Sequence, residues 1–164
     1  MVARGGARVE RPEAEDDPDV SVFEPMEIEF LLNQQHGRLA TVGADGQPHV
    51  VPVAFRFDEE LDVIDVGGPI VARTKKFRDA QRNSRVTFLV DDILPPWRPR
   101  GIEIRGEARI LPVGGNLIHE GFSPDIIRIT PRRIVVWGVK ANREGSARNV
   151  TVVDLSPDGS GSGT

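Results

Sequence analysis

The sequence predicts a mainly β protein: a small closed or partly open barrel of roughly six antiparallel strands with a few short helices. Three observations carry that reading. From Ile102 to Ile110, apolar Ile102, Ile104, Ala108 and Ile110 alternate with Glu103, Arg105, Glu107 and Arg109, as on a strand with one face in a core. An Asp45-Gly46 pair sits between two apolar runs, as in a tight hairpin. Helical spacing is confined to two short stretches, one after Pro25 and one after Thr74.

In chain order, residues 1–20 mix arginines with Glu13, Glu15, Asp16, Asp17 and Asp19 and carry almost no large apolar side chain. Such a segment cannot bury enough to offset the entropy of ordering, and it reads as a disordered arm. Pro25 suits a helix start, Ile28, Leu31, Leu32 and Gln35 follow at helical spacing, and Gly37 is expected to end that helix. Arg38–Val42 and Gln47–Phe57 form the first hairpin. Both faces of the second strand are largely apolar, so it is expected to be covered on both sides, with Pro48 and Pro52 marking an edge or an interruption. Leu61–Val66 is a third strand. A Gly67-Gly68-Pro69 turn then leads to a helix from Thr74 to about Arg82.

Val86–Val90 is a strand closed by Asp91-Asp92, followed by a proline-rich loop from Leu94 to Gly101 and the alternating strand 102–110, whose Gly106 and Ala108 leave room on the inner face. Gly114–Gly121 is a loop or one helical turn. Ile126–Thr130 and Arg132–Val139, on either side of Pro131, close the barrel as two strands, and the glycine- and serine-rich residues 156–164 form a flexible tail. The domain proper is thus 21–155. Two short helices cannot cover this much apolar strand, and a second subunit is the natural cover: a homodimer is expected.

Composition narrows the function. With 164 residues there is one domain's worth of core, and a net charge of -4 with a pI near 5.4 argues against a dedicated nucleic-acid binder. There is no cysteine, which removes thiolate metal sites and cysteine nucleophiles. His36, His49 and His119 lack ligand spacing, so no metal is expected. No GxSxG elbow or GxGxxG motif follows a strand, and Asp91 and Asp92, adjacent on a strand, face opposite ways and are not a carboxylate dyad. No residue is singled out as catalytic. With no apolar run of membrane-spanning length, the expectation is a cytoplasmic protein that acts on a small molecule and meets neither membrane nor nucleic acid.

One stretch breaks a local rule. Arg73, Lys75 and Lys76 crowd the start of a helix, where the macrodipole is already positive. They are well placed if an anion docks on the free N–H groups there, with the Thr74 hydroxyl beside it. The alternatives are a phosphate seat and a solvated basic helix. Trp137, followed by Gly138, either flanks a flat ring system or packs in an interface.

Three runs in order, GRLATVGADGQPHVVPVAFRF, ARTKKFRDAQRNSRVTFLVDD and RGIEIRGEARIL, resemble the split-barrel flavin and deazaflavin oxidoreductases related to pyridoxamine 5′-phosphate oxidase. More narrowly, they are similar to the coenzyme F420-dependent branch. The resemblance implies a six-stranded split barrel that dimerises, with two cofactor sites between subunits. It implies that Arg73, Thr74, Lys75 and Lys76 hold the cofactor phosphate, that Pro52, Val53 and Ala54 line the ring largely through backbone, and that Trp137 of the other subunit lies near it. Relatives often have lysine where this chain has Arg73, which exchanges a point charge for a fork.

The activity implied is hydride transfer between F420 and an electron-poor carbon of an enone or quinone-like ring. An FMN-dependent oxidoreductase of the same fold and a non-catalytic carrier or sensor are the alternatives. The acceptor groove is expected in Asp92–Gly101 and Leu111–Asp125.

Overall fold

The structure, a computed structural model, describes residues 20–151 apart from 143; the two termini read as disordered lie outside that range except for Val20, which is exposed. Pro25 opens helix α1 (Pro25–Leu32), where the Glu24 N–H donates to the Glu27 carboxylate at 3.0 Å. A meander follows: β1 (His36–Val42), β2 (Pro48–Asp58) and β3 (Val63–Gly67). A 3-10 turn (Val71–Arg73) and helix α2 (Lys75–Arg82) cross to β4 (Arg85–Leu94) and β5 (Arg98–Leu111). A short helix α3 (Gly115–Ile118), β6 (Ile126–Trp137) and β7 (Ser146–Asn149) complete the described chain.

The strand order is β3-β2-β1-β4-β5-β6-β7, and an antiparallel pairing of β3 with β6 closes the first six strands into a barrel. Every ladder is antiparallel, as the hairpin signals require. Leu39, Phe88, Ile102, Ile104, Ile127, Ile129 and Ile134 fill the interior with no exposed surface. Phe55 meets Phe88 edge-on at 4.9 Å between centroids. Ile102 and Ile104 point inward, as their alternation predicts.

Several expectations are corrected. α1 stops at Leu32, and Gly37 lies inside β1 rather than ending the helix: a Cβ there would lie 2.4 Å from the Phe88 ring, so the position is kept bare by packing. β4 does not end at Asp91-Asp92. The two carboxylates face opposite sides and each finds an arginine, Arg38 at 2.5 Å from Asp91 and Arg100 at 2.6 Å from Asp92, so the strand continues to Leu94. The proline-rich loop shrinks accordingly to a hairpin turn over 95–97.

Ile126 to Trp137 is one strand, not two, because Pro131 falls at a bulge where the register slips between Arg105 and Gly106. Gly106 is small for the same reason. A Cβ there would come within 2.3 Å of the Thr130 carbonyl oxygen, so the space belongs to backbone and not to a ligand. The two expected helices are joined by α3 and the 3-10 turn.

β7 was not expected, since Ser146-Ala147-Arg148-Asn149 has no apolar pattern. Charge holds it in place. The Arg148 guanidinium donates to both oxygens of the fully buried Glu27 carboxylate, at 3.0 and 2.5 Å, and to the Val22 carbonyl at 2.8 Å. On the barrel wall, Arg128 grips the buried Asp65 in the same two-pronged way at 2.8 Å. Removing one partner of such a pair strands a buried charge at a cost of about 3–5 kcal/mol.

Candidate functional site

The basic stretch sits where β3 hands the chain to α2. β2 pairs with β3 only from Ala54 to Asp58, so one edge of residues 48–53 has no strand partner. Thr74 is the N-cap of α2, but its hydroxyl donates to the Val71 carbonyl at 2.6 Å instead of capping the helix. The first-turn N–H groups of α2 therefore have no side-chain partner, which leaves the positive end of the helix open.

The four predicted residues separate here. Arg73 precedes the helix, in the 3-10 turn, exposed and without an acidic partner among the described residues. Lys75 is occupied: its ammonium lies 2.5 Å from Asp79, one turn on, so it is not the unsupported charge that the sequence suggested. The hydrogen bond from Lys75, then the charges of Lys75 and Arg82, hold the buried Asp79 carboxyl below its ordinary range. Lys76 is half-buried, and its burial lowers its pKa, with no carboxylate partner among the described residues.

β2 presents its other predicted residues unequally. Val53 turns into the core, so only its backbone is available at the surface, whereas Pro52 is exposed and Ala54 half-exposed. Pro48, Val50 and Pro52 form an open apolar row, with Val50 64 % exposed. The expected cover on both faces is not supplied by the described residues.

Trp137 lies elsewhere. It pairs with Gly101, and its ring occupies the space where a Gly101 Cβ would stand, 2.2 Å from Cζ2. With Trp97, Leu94 and Val139 it lines a cleft of about 470 Å³ under the β4–β5 hairpin. Strand register separates this cleft from α2. Lys75 reaches toward Gly43, at the end of the barrel where Arg85 pairs with Glu107; the cleft lies at the end where Asp92 pairs with Arg100. From Arg100 to Ala108, beside α2, eight strand residues at about 3.3 Å each span roughly 26 Å at full extension. One chain does not bring Trp137 and the cations to a single small ligand.

Among the described residues no three His, Cys, Asp or Glu side chains converge as a metal site, and no helix is long and apolar enough to cross a membrane. Two residues escaped sequence reasoning. Asp79 was legible only as the residue four after Lys75, and His49, whose Nδ1 is buried without a partner beside the equally unpartnered Thr41 hydroxyl, gave no signal.

A profile described as pyridoxamine 5′-phosphate oxidase matches residues 23–154. The chain is 43 % identical over 136 residues to a 5a,11a-dehydrotetracycline/5a,11a-dehydrooxytetracycline reductase of Streptomyces rimosus, covering 80 % of this chain and 96 % of that protein. Among solved structures it resembles a conserved hypothetical protein of Mycobacterium tuberculosis, with a TM-score of 0.57 and 24 % identity over 73 % of this chain and 88 % of the other. It also resembles a FAD-binding protein of Mesorhizobium loti, with a TM-score of 0.53 and 21 % identity over 68 % and 92 %. At these identities the structural likenesses establish the fold alone.

Proposed function

The chain belongs to the pyridoxamine 5′-phosphate oxidase family, as an oxidoreductase of its split-barrel fold, and on that footing we propose that it is an F420-dependent reductase. Its substrate is an electron-poor conjugated ring, an enone or quinone-like polycycle of the kind named for the Streptomyces relative. Preference for F420 over FMN rests on the three runs that resemble the F420-dependent branch, together with a relative named as a reductase.

The observation that carries the reading is Lys76, half-buried and with no counter-ion among the described residues, at a start of α2 that no side chain caps. The residues present fit a phosphorylated coenzyme. Arg73, Lys76 and the first-turn N–H groups would hold its phosphate, the Thr74 hydroxyl would join them by turning its proton from the Val71 carbonyl to a phosphate oxygen, and the backbone of Pro52–Ala54 would border its ring. Lys75, committed to Asp79, would orient the helix more than grip the anion.

The chemistry such a coenzyme would supply is a hydride to the electron-poor carbon, with the proton that completes the product coming from solvent. The protein's share is proximity and exclusion of water. A second copy packed on the row Pro48, Val50 and Pro52 would provide that exclusion, and the expected homodimer is proposed for that reason.

Two titrations test this, F420 and FMN, each followed by coenzyme fluorescence, with oligomeric state measured by light scattering. F420 bound tightly and FMN weakly by a dimer, with turnover of a quinone by reduced F420, is expected. Tight FMN binding with a flavin spectrum would make the protein an FMN enzyme. Coenzyme binding without turnover on any acceptor would make it a carrier.

A further inference from the structure

The cleft beneath the β4–β5 hairpin has no role in holding phosphate, yet it is built. Its floor is close-packed: a Cβ on Gly101 would strike Trp137, and one on Gly138, where φ is +65°, would come within 2.2 Å of the Pro99 carbonyl oxygen. Trp137 sits half-buried on that floor. Trp97, at the turn of the hairpin, stands 74 % exposed, an indole left in water beside a cleft of mixed polar and apolar lining. Two tryptophans lining about 470 Å³ suit a flat ring system.

Three cations line the same cleft, and two are neutralised. Arg100 donates to both oxygens of Asp92, at 2.8 and 2.6 Å, and Lys140 meets Glu24 at 3.0 Å. Arg98 has only the Pro95 carbonyl, at 3.3 Å, and no carboxylate among the described residues. The cleft therefore carries one uncompensated positive charge beside its aromatic walls.

We propose that this cleft is the acceptor site, and that Arg98 selects flat conjugated acceptors bearing an ionised oxygen, an enolate or phenolate, over neutral ones. The proposal rests on the reductase reading. Because the cleft lies at the opposite end of the barrel from Arg73 and Lys76, it meets a coenzyme only where a second copy brings its own seat alongside. Trp97 would stack on the ring, and the planar Arg98 fork would face the oxyanion.

The test compares hydroxynaphthoquinone, an enolate at neutral pH, with the neutral methylnaphthoquinone. Binding to the full chain without coenzyme is read by tryptophan quenching, and turnover with reduced F420 by KM and kcat. The wild type is expected to bind the enolate more tightly. Arg98→Ala should remove that preference, raising KM for the enolate about tenfold with little change for the neutral quinone, in kcat, or in coenzyme affinity. Trp97→Phe should preserve binding of both quinones and Trp97→Ala should weaken both, with Trp137 as the remaining reporter.

An Arg98→Ala variant that keeps the full preference overturns the assignment, as does a Trp97→Ala variant that binds both quinones like the wild type. The separate F420 titration isolates the underlying reading. If F420 fails to bind, the coenzyme assignment falls, while the quenching comparison still decides the cleft.

Discussion

Arg128 and Lys76 are both cations at the margin of apolar structure, and they differ in what they face. Arg128 closes on Asp65 with two hydrogen bonds of 2.8 Å, and that partner raises its pKa. Lys76 is also drawn partly out of water, but nothing answers its charge and its pKa falls. Arg148 closes on the buried Glu27 with the same two-pronged geometry, whereas Arg73 is exposed and has no acidic partner among the described residues. Cations of the first kind carry the fold, since each neutralises an acid that the barrel has buried. The second kind neutralises no buried acid, and an anion bound at the proposed seat would supply its missing partner.

The largest test of this contrast is Arg128→Ala. It should leave Asp65 buried and unpaired, with a loss of about 3 kcal/mol and a fall in thermal midpoint on the order of 10 °C. Coenzyme affinity per folded molecule should be little changed. A denaturation curve indistinguishable from wild type would remove Arg128 from the structural class.

Next comes the pair Arg73→Ala and Lys76→Ala. Each should weaken coenzyme binding by roughly 10- to 100-fold, the worth of a charge-assisted hydrogen bond. The thermal midpoint should stay level or rise, because a like charge leaves the positive end of α2. Unaltered affinity in both variants would move the seat elsewhere.

Lys75→Ala sharpens the line between the classes. Its ammonium already serves Asp79, so coenzyme affinity should change by less than about fivefold while stability falls. A Lys75 variant that loses coenzyme as badly as the Lys76 variant would erase the distinction drawn here.

The smallest effect is expected from acid. The carboxyls of Asp79, through Lys75, and Asp92, through Arg100 and Gln34, are held below their ordinary value of 3.8. A depressed carboxylate stabilises the fold above its unfolded pKa, and that contribution drains away as pH falls through the lower, folded value. Denaturant midpoints followed from neutral pH to below 3.8 should therefore drop, and Asp92→Asn should flatten part of the drop.

The hairpin at Asp45-Gly46, the alternation from Ile102 to Ile110 and the cation-crowded start of α2 were all legible in the sequence, because each is set by residues within a turn or two of one another. Strand periodicity and dipole chemistry are local, and local rules suffice to predict a small antiparallel barrel and to single out the cations that the proposed seat uses. Partnership is not local. Only the fold decided that Asp91 and Asp92 would be neutralised so that β4 runs on, that Pro131 would sit at a bulge within one long strand, and that polar β7 would be held by an arginine whose acid lies 121 residues away. It also divided neighbouring candidate residues into a committed Lys75 and a Lys76 without a carboxylate partner among the described residues, because which charges find partners depends on what the closed barrel carries past them.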